Sequence, residues 1–291
     1  MNQTPSSLST PPATIELHNG PMRLALRADL GGSIAGLWHH DLPVMRSVEP
    51  HALAGPRQGG SFPLVPYSNR LGYMRFRWAG RDHTTQPNFP GPHSLHGVGW
   101  QRAWSLLTHH EHDAALGYQH EGDAHWPFAF ECTQRFVLTP AALELRLEVV
   151  NRAAEPAPMG LGWHPYFPKR SRSRLHIEIT ERWNSDTAEL PTRRVDQPGI
   201  DADVAHLEFD NCFEGWRGAA HIRDEKLSLK LTSSLDRLVV YTPQSKDYFC
   251  VEPVSHVSNA IHMSDPAAHG LRTLQPGEAM QAWMKLDVTV L

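Results

Sequence analysis

Apolar and polar residues alternate along much of this chain. In ALELRLEVVN (142–151), Leu143, Leu145, Leu147 and Val149 share one face, while Glu144, Arg146 and Glu148 share the other. That is period two, the mark of a half-buried strand. RLHIEIT (174–180) repeats it with Leu175, Ile177 and Ile179; KLSLKL (226–231), LVVYT (238–242), YFCVEPV (248–254) and AWMKLDVTV (282–290) extend the set. MRLALRADLGGSIAGLW (22–38) reads as two strands joined through Gly31 and Gly32. No long segment carries the helical period, and 24 prolines with 21 glycines cut the chain into short pieces. The pattern predicts an all-β sandwich or barrel with one or two short helices, for which 66–70 and 201–206 are candidates. Residues 1–13 are expected to form a flexible tail and 14–291 a single domain, with no linker or repeat inside it.

Composition narrows the function. An apolar fraction of 40% suits a globular protein. A net charge of −4 and a pI near 6.5 argue against nucleic-acid binding, which needs a basic footprint. The three cysteines, Cys132, Cys212 and Cys250, are widely spaced and form no C-x-x-C. They predict reduced thiols and a reducing, cytoplasmic compartment. The first residues lack the basic and apolar regions of a secretory signal, and no run of about 18 apolar residues predicts a membrane span. Nineteen histidines invite a metal reading, yet no H-E-x-x-H occurs. THHEHD (108–113) sits in a polar stretch and reads as a solvated strand end or turn. GGSIAG (31–36) is not a nucleophile elbow, HGVGW (96–100) lacks the third glycine of a dinucleotide fingerprint, and there is no P-loop.

Four segments differ from ordinary strand or turn sequence. FPLVPYSNRLGYMRF (62–76) places Asn69 and Arg70 after a proline-directed apolar stretch; the guanidinium fork suits an oxygen-rich ligand or a carboxylate at a loop base. GPHSLHGVGW (91–100) sets His96 beside Gly97, which permits close backbone approach. Trp100 reads first as core and second as a stacking surface, and His93 as an exposed loop residue. GLGWHPYFPKR (160–170) surrounds His164 with aromatic and proline residues that would fix its ring, for acid–base work or as a buried structural histidine. DYFCVEPVSH (247–256) puts Cys250 and Glu252 on one strand face and Phe249 and Val251 on the other. A carboxylate in that apolar strand costs free energy without partners, and desolvation would raise its pKa toward a general base's range. The alternative is a buried salt bridge, with Arg70 as a partner. In FDNCFEGW (209–216), Asp210 stands beside aromatic residues, with an Asx turn as its alternative.

PYSNR, HSLHG, GWHPYFP, DNCF and CVEPV, in that order, resemble the aldose 1-epimerase (galactose mutarotase-like) family from about Leu30 onward. The resemblance implies a large antiparallel β-sandwich with an open sugar cleft. It implies interconversion of the α and β anomers of an aldose, with no metal or organic cofactor, by a monomer or homodimer. It assigns Glu252 as general base, His164 as general acid, His96 as a second active-site histidine, and Asn69, Arg70 and Asp210 as substrate-binding residues. In this scheme a neighbouring carboxylate, Asp210 or Glu252, raises the pKa of the acid histidine. Departures from the common motifs, such as Gly-Val-Gly-Trp after His96 and Pro168 after HPYF, leave acid and base untouched and bear on sugar preference. PKRSRSR (168–174) points to a phosphorylated or sulfonated hexose as one alternative substrate. A non-catalytic sugar-binding protein and a glycoside hydrolase or lyase are the other rivals.

Overall fold

A computed structural model describes residues 14–291; the expected tail, 1–13, lies outside the described residues. Two antiparallel sheets dominate. The nine-stranded sheet runs Ser105–His109, Asp113–His120, Phe130–Thr139, Ala142–Asn151, Ala279–Val290, Leu227–Ser233, Ala219–Arg223, Arg174–Ile177 and Ile200–Asp203. The eight-stranded sheet runs Pro191–Asp196, Glu181–Ser185, Asp210–Glu214, Arg237–Tyr241, Tyr248–Val254, Gly162–Trp163 and Pro63–Leu64. Its eighth strand, Tyr166–Pro168, also pairs with Tyr248–Val254.

The two sheets share one core. Leu145, Leu147, Leu231 and Met284 from the first pack with Phe213, Leu238, Val240, Phe249 and Val251 from the second. Opposite faces of the first sheet differ: Arg146 and Glu148 are exposed where their neighbours are buried, as expected of a sheet solvated on one side. The eight-stranded sheet is covered on both faces. Cys212, Val239, Cys250 and Val254 join a separate apolar cluster with Phe62, Trp100 and Tyr166. This second cluster forms the floor of the functional site. Trp100 is therefore core, as its first reading had it, and it stacks on Phe62 at 5.4 Å.

The predicted strand 248–254 matches the observed one end to end. The turn at Gly31 and Gly32 uses left-handed φ values of 71° and 61°, and a β-carbon on Gly31 would lie 2.0 Å from the Trp100 carbonyl oxygen. Segment 108–113 holds the exposed end of the strand Ser105–His109, a bend at 111–112 and the first residue of the strand Asp113–His120. The helix candidates fare differently. Segment 201–206 holds a 3-10 turn, Val204–His206. Segment 66–70 holds no helix, because Arg70 pairs with Leu95 in a two-residue ladder and Asn69 takes a left-handed φ of 58°. Every helix among the described residues is a 3-10 turn of three residues, and none is long and apolar enough to cross a membrane.

Candidate active site

Strand register builds the site. Tyr166 stands opposite Cys250, and Gly162 stands opposite Val254. The same register carried through the gap between them sets His164 opposite Glu252. Alternation along both chains then points the two side chains to one face. Trp163 turns the other way and donates its indole N–H to Gln134 Oε1 at 2.9 Å inside the main core. His164 Nε2 lies 3.3 Å from Glu252 Oε1. The two residues, 88 positions apart, line a cavity of about 270 Å³ with Asn69, Arg70, His96 and Asp210. All six candidate residues thus meet in one cleft, near the lower end of the roughly 300–1,000 Å³ typical of small-ligand pockets.

The histidine ring is clamped. Tyr166 stacks on it at 4.5 Å and 19°, and Phe62 packs beside it at 4.7 Å and 31°. The His164 N–H of the backbone donates to the Phe62 carbonyl at 3.0 Å. Two buried polar atoms here, His164 Nδ1 and Glu252 Oε2, lack a hydrogen-bond partner. Such atoms are costly in a folded interior, which marks this pair as built for something other than stability.

His96 is held differently. The Asn69 N–H donates to its Nδ1 at 3.0 Å, and the His96 N–H donates to the Asn69 carbonyl at 2.9 Å. An accepting Nδ1 leaves the ring hydrogen on Nε2. Burial, then the charges of His164 and Arg70, hold its pKa well below the usual value. His96 is therefore a fixed neutral donor. His96 and Gly97 both adopt left-handed φ, 59° and 68°. A β-carbon on Gly97 would sit 2.4 Å from the Val65 carbonyl oxygen, so only glycine lets this loop pack so closely.

Arg70 donates to Glu189 Oε2 at 2.6 Å and to Asn69 Oδ1 at 3.3 Å, and lies 3.7 Å from Asp210 Oδ2. Glu189 is 63% exposed, so this ion pair is weak and open to exchange with a ligand. The alternative Arg70–Glu252 salt bridge does not form; Arg70 pairs with Glu189 instead. Asp210 opens the strand Asp210–Glu214 opposite Tyr241 and forms no Asx turn. Desolvation, with the Glu189 charge, raises its pKa against the pull of Arg70, an effect muted by its half-exposed side chain.

Burial pushes Glu252 well above the normal carboxyl range, helped by Asp210 and opposed by Arg70. Burial also pushes His164 down to about 3, with Arg46 and Arg57 adding to it. The expectation that a neighbouring carboxylate raises His164 is thus overturned: desolvation dominates, and a Glu252 that keeps its proton exerts little attraction. Expected His93 exposure is also wrong. It is 5% exposed, accepting from the Tyr73 N–H at 2.9 Å and donating to Ala188 O at 2.8 Å.

These shifts carry a stability signature. Above about pH 4.3 the unfolded chain releases the Glu252 proton while the folded chain keeps it, so stability falls as pH rises through that window. For His164 the unfolded chain binds more protons between about 3 and 6.5, so stability is lost as pH falls there. Glu252→Gln removes only the first effect. Urea unfolding at about pH 5 and pH 7.5 should show the variant gaining on the wild type at the higher pH, with a limit of about 1.4 kcal/mol per pH unit. A difference independent of pH would contradict a neutral buried carboxyl.

Sequence reasoning missed Arg57, Phe89, Leu95, Glu189, Tyr241 and Tyr248, which complete the cleft wall. Arg57 leaves a 3-10 turn between glycines, Pro56–Gln58, and its guanidinium lies 4.7 Å from the Phe89 ring centre. Its only sequence signal was an arginine inside GPRQGG. The PKRSRSR run, by contrast, stays out of the cleft. Lys169 donates to Pro243 O at 2.5 Å, Arg170 pairs with Asp224 at 2.6 Å, and Arg174 pairs with Asp201 at 2.7 Å.

Residues 13–287 match the family model for aldose 1-epimerase. Uncharacterized protein YphB of Escherichia coli (strain K12) is 30% identical over 290 residues, covering 94% of this chain and 97% of YphB. A crystal structure from Escherichia coli K12, provisionally assigned as an aldose 1-epimerase, shares 29% identity at a TM-score of 0.86, covering 96% of this chain and 99% of that one. A galactose 1-epimerase from Lactobacillus acidophilus NCFM shares the fold at a TM-score of 0.79 with 16% identity, covering 94% and 93%.

Proposed function

From the premise that this chain belongs to the aldose 1-epimerase family, we propose that it interconverts the α and β anomers of a free hexose by acid–base ring opening and closure. The observation that carries the reading is the facing of His164 and Glu252, 3.3 Å apart, inside a cleft of sugar-ring size. Glu252 removes the proton from the C1 hydroxyl while His164 delivers one to the ring oxygen. The C1–O5 bond breaks to give the open aldehyde. The C1–C2 bond turns, and the same groups run the step in reverse, so no proton is gained or lost overall. Arg70, His96, Asn69 and Asp210 hold the hydroxyls and shorten both proton paths.

Desolvation in the cleft favours the neutral arrangement, carboxylic acid beside imidazole. The working arrangement, carboxylate beside imidazolium, holds the same number of protons. Moving one across 3.3 Å converts one to the other. A C1 hydroxyl donating to Glu252 favours the carboxylate, and the Arg70 charge already pulls that way.

A second reading, an aldose bearing an anionic substituent, rests on Arg57 rather than on the PKRSRSR run. Arg57 is exposed at the cleft wall and has no carboxylate partner among the described residues. Polarimetry on fresh α-glucose, α-galactose and a hexose 6-phosphate at equal concentration separates the readings. Catalysed rotation change with the neutral sugars supports the first, and a rate at least tenfold higher with the phosphate supports the second. Binding without any acceleration would mean a non-catalytic sugar receptor. The three free, buried cysteines support a reducing, cytoplasmic setting for a monomer or homodimer.

A further inference from the structure

We propose that His164, Cys250 and Glu252 form a binding site for a thiophilic divalent cation such as zinc, whose occupancy switches the proton-transfer pair off. One donor atom from each residue lies within 4.8 Å of the corresponding atoms of the other two, and all three residues are buried. Strand geometry explains the set: Cys250 and Glu252 are two apart and share a face, and His164 stands across from Glu252 on the neighbouring chain.

The chemistry fits one class of ion. A thiolate, an imidazole and a carboxylate are the soft, borderline and hard donors that zinc accepts together, at about 2.0–2.3 Å in tetrahedral geometry. Donors on such a centre stand about 3.3–3.7 Å apart. The His164–Glu252 contact is already at 3.3 Å, and a shift of about 1 Å closes the rest. Second, the site holds unsatisfied polar atoms. Glu252 is 2% exposed and its Oε2 has no partner; His164 Nδ1 has none either. The cleft that Glu252 and His164 line offers the access route and the fourth coordination position. On binding, the Cys250 thiol and the Glu252–His164 pair each release one proton to solvent, and the metal takes the place of the proton held between Glu252 and His164.

Cys250 plays no part in the anomerisation scheme. The metal site stands apart from that reading; only the inhibitory consequence rests on it. Cobalt(II) is the direct probe, because a cobalt–thiolate bond adds a near-ultraviolet charge-transfer band. The full chain should gain that band on titration with cobalt(II), and zinc should abolish it. Cys250→Ala should lack the band while Cys132 and Cys212 remain, and Glu252→Gln should need at least tenfold more cobalt(II). In polarimetry, zinc should slow the wild type at least tenfold, a chelator should restore it, and Cys250→Ala should keep its metal-free rate and need at least tenfold more zinc. Should the alanine variant fold poorly, Cys250→Ser and the Glu252→Gln titration carry the same comparison. No thiolate band in the wild type, or one undiminished in the Cys250 variants, overturns the site. A proper band in a chain without anomerase activity keeps the site and sinks the catalytic reading instead.

Discussion

Glu252→Gln lowers kcat for anomerisation by at least about a hundredfold. Each positioned proton transfer contributes typically about 10²–10⁴-fold, and an amide in place of the carboxyl accepts no proton from the C1 hydroxyl. Shape is nearly conserved, so the strand Tyr248–Val254 and its pairing with Arg237–Tyr241 stay intact. The donors proposed to hold the sugar, Arg70 and the Nε2–H of His96, stand on other elements, so KM is expected to move far less than kcat. The loss is accompanied by a gain, since the variant no longer carries a buried ionisable group and is expected to be the more stable protein near neutral pH. Activity and stability moving in opposite directions is the pattern of a residue kept for chemistry. Polarimetry at saturating sugar gives the number; a rate within a few-fold of wild type contradicts the role of Glu252 as base.

His164→Asn is expected to cost at least a similar factor, for the paired reason that the ring oxygen then leaves without a proton donor. It differs in one respect. The imidazole packs against both Phe62 and Tyr166, so the variant also loses packing and should unfold at lower urea concentration. Rates must therefore be compared on folded protein, checked by circular dichroism, and the kcat loss should far exceed any KM change. A folded His164→Asn protein that turns over normally would falsify the acid assignment.

The strands of the nine-stranded sheet were legible because one face meets the core and the other does not, which gives period-two alternation; those of the eight-stranded sheet, covered on both faces, read as short apolar runs. Glu252 was legible as an anomaly, a carboxylate in an apolar strand. Its facing of His164 was not, since register between segments 88 residues apart is set by pairing that no local pattern reveals. The electrostatics misled for a related reason. A lone carboxylate raises a neighbouring histidine only if it is charged, and shared burial removes the charge from both. A salt bridge from Arg70 to Glu252 was the alternative reading, yet the loop that carries Glu189, in a left-handed conformation at φ 62°, delivers a nearer partner. His93 looked like a loop residue by sequence, but its ring bridges Tyr73 and Ala188 and pins two loops together. The wall residues Arg57 and Phe89 lie in irregular segments, where periodicity carries no information.

The central claim is spatial, and a structure with an aldose soaked into the cleft tests it most directly. The account predicts the ring oxygen within about 2.6–3.2 Å of the His164 imidazole and the C1 hydroxyl equally close to the Glu252 carboxylate. A sugar seated with its reducing end turned toward solvent, away from both groups, would contradict it.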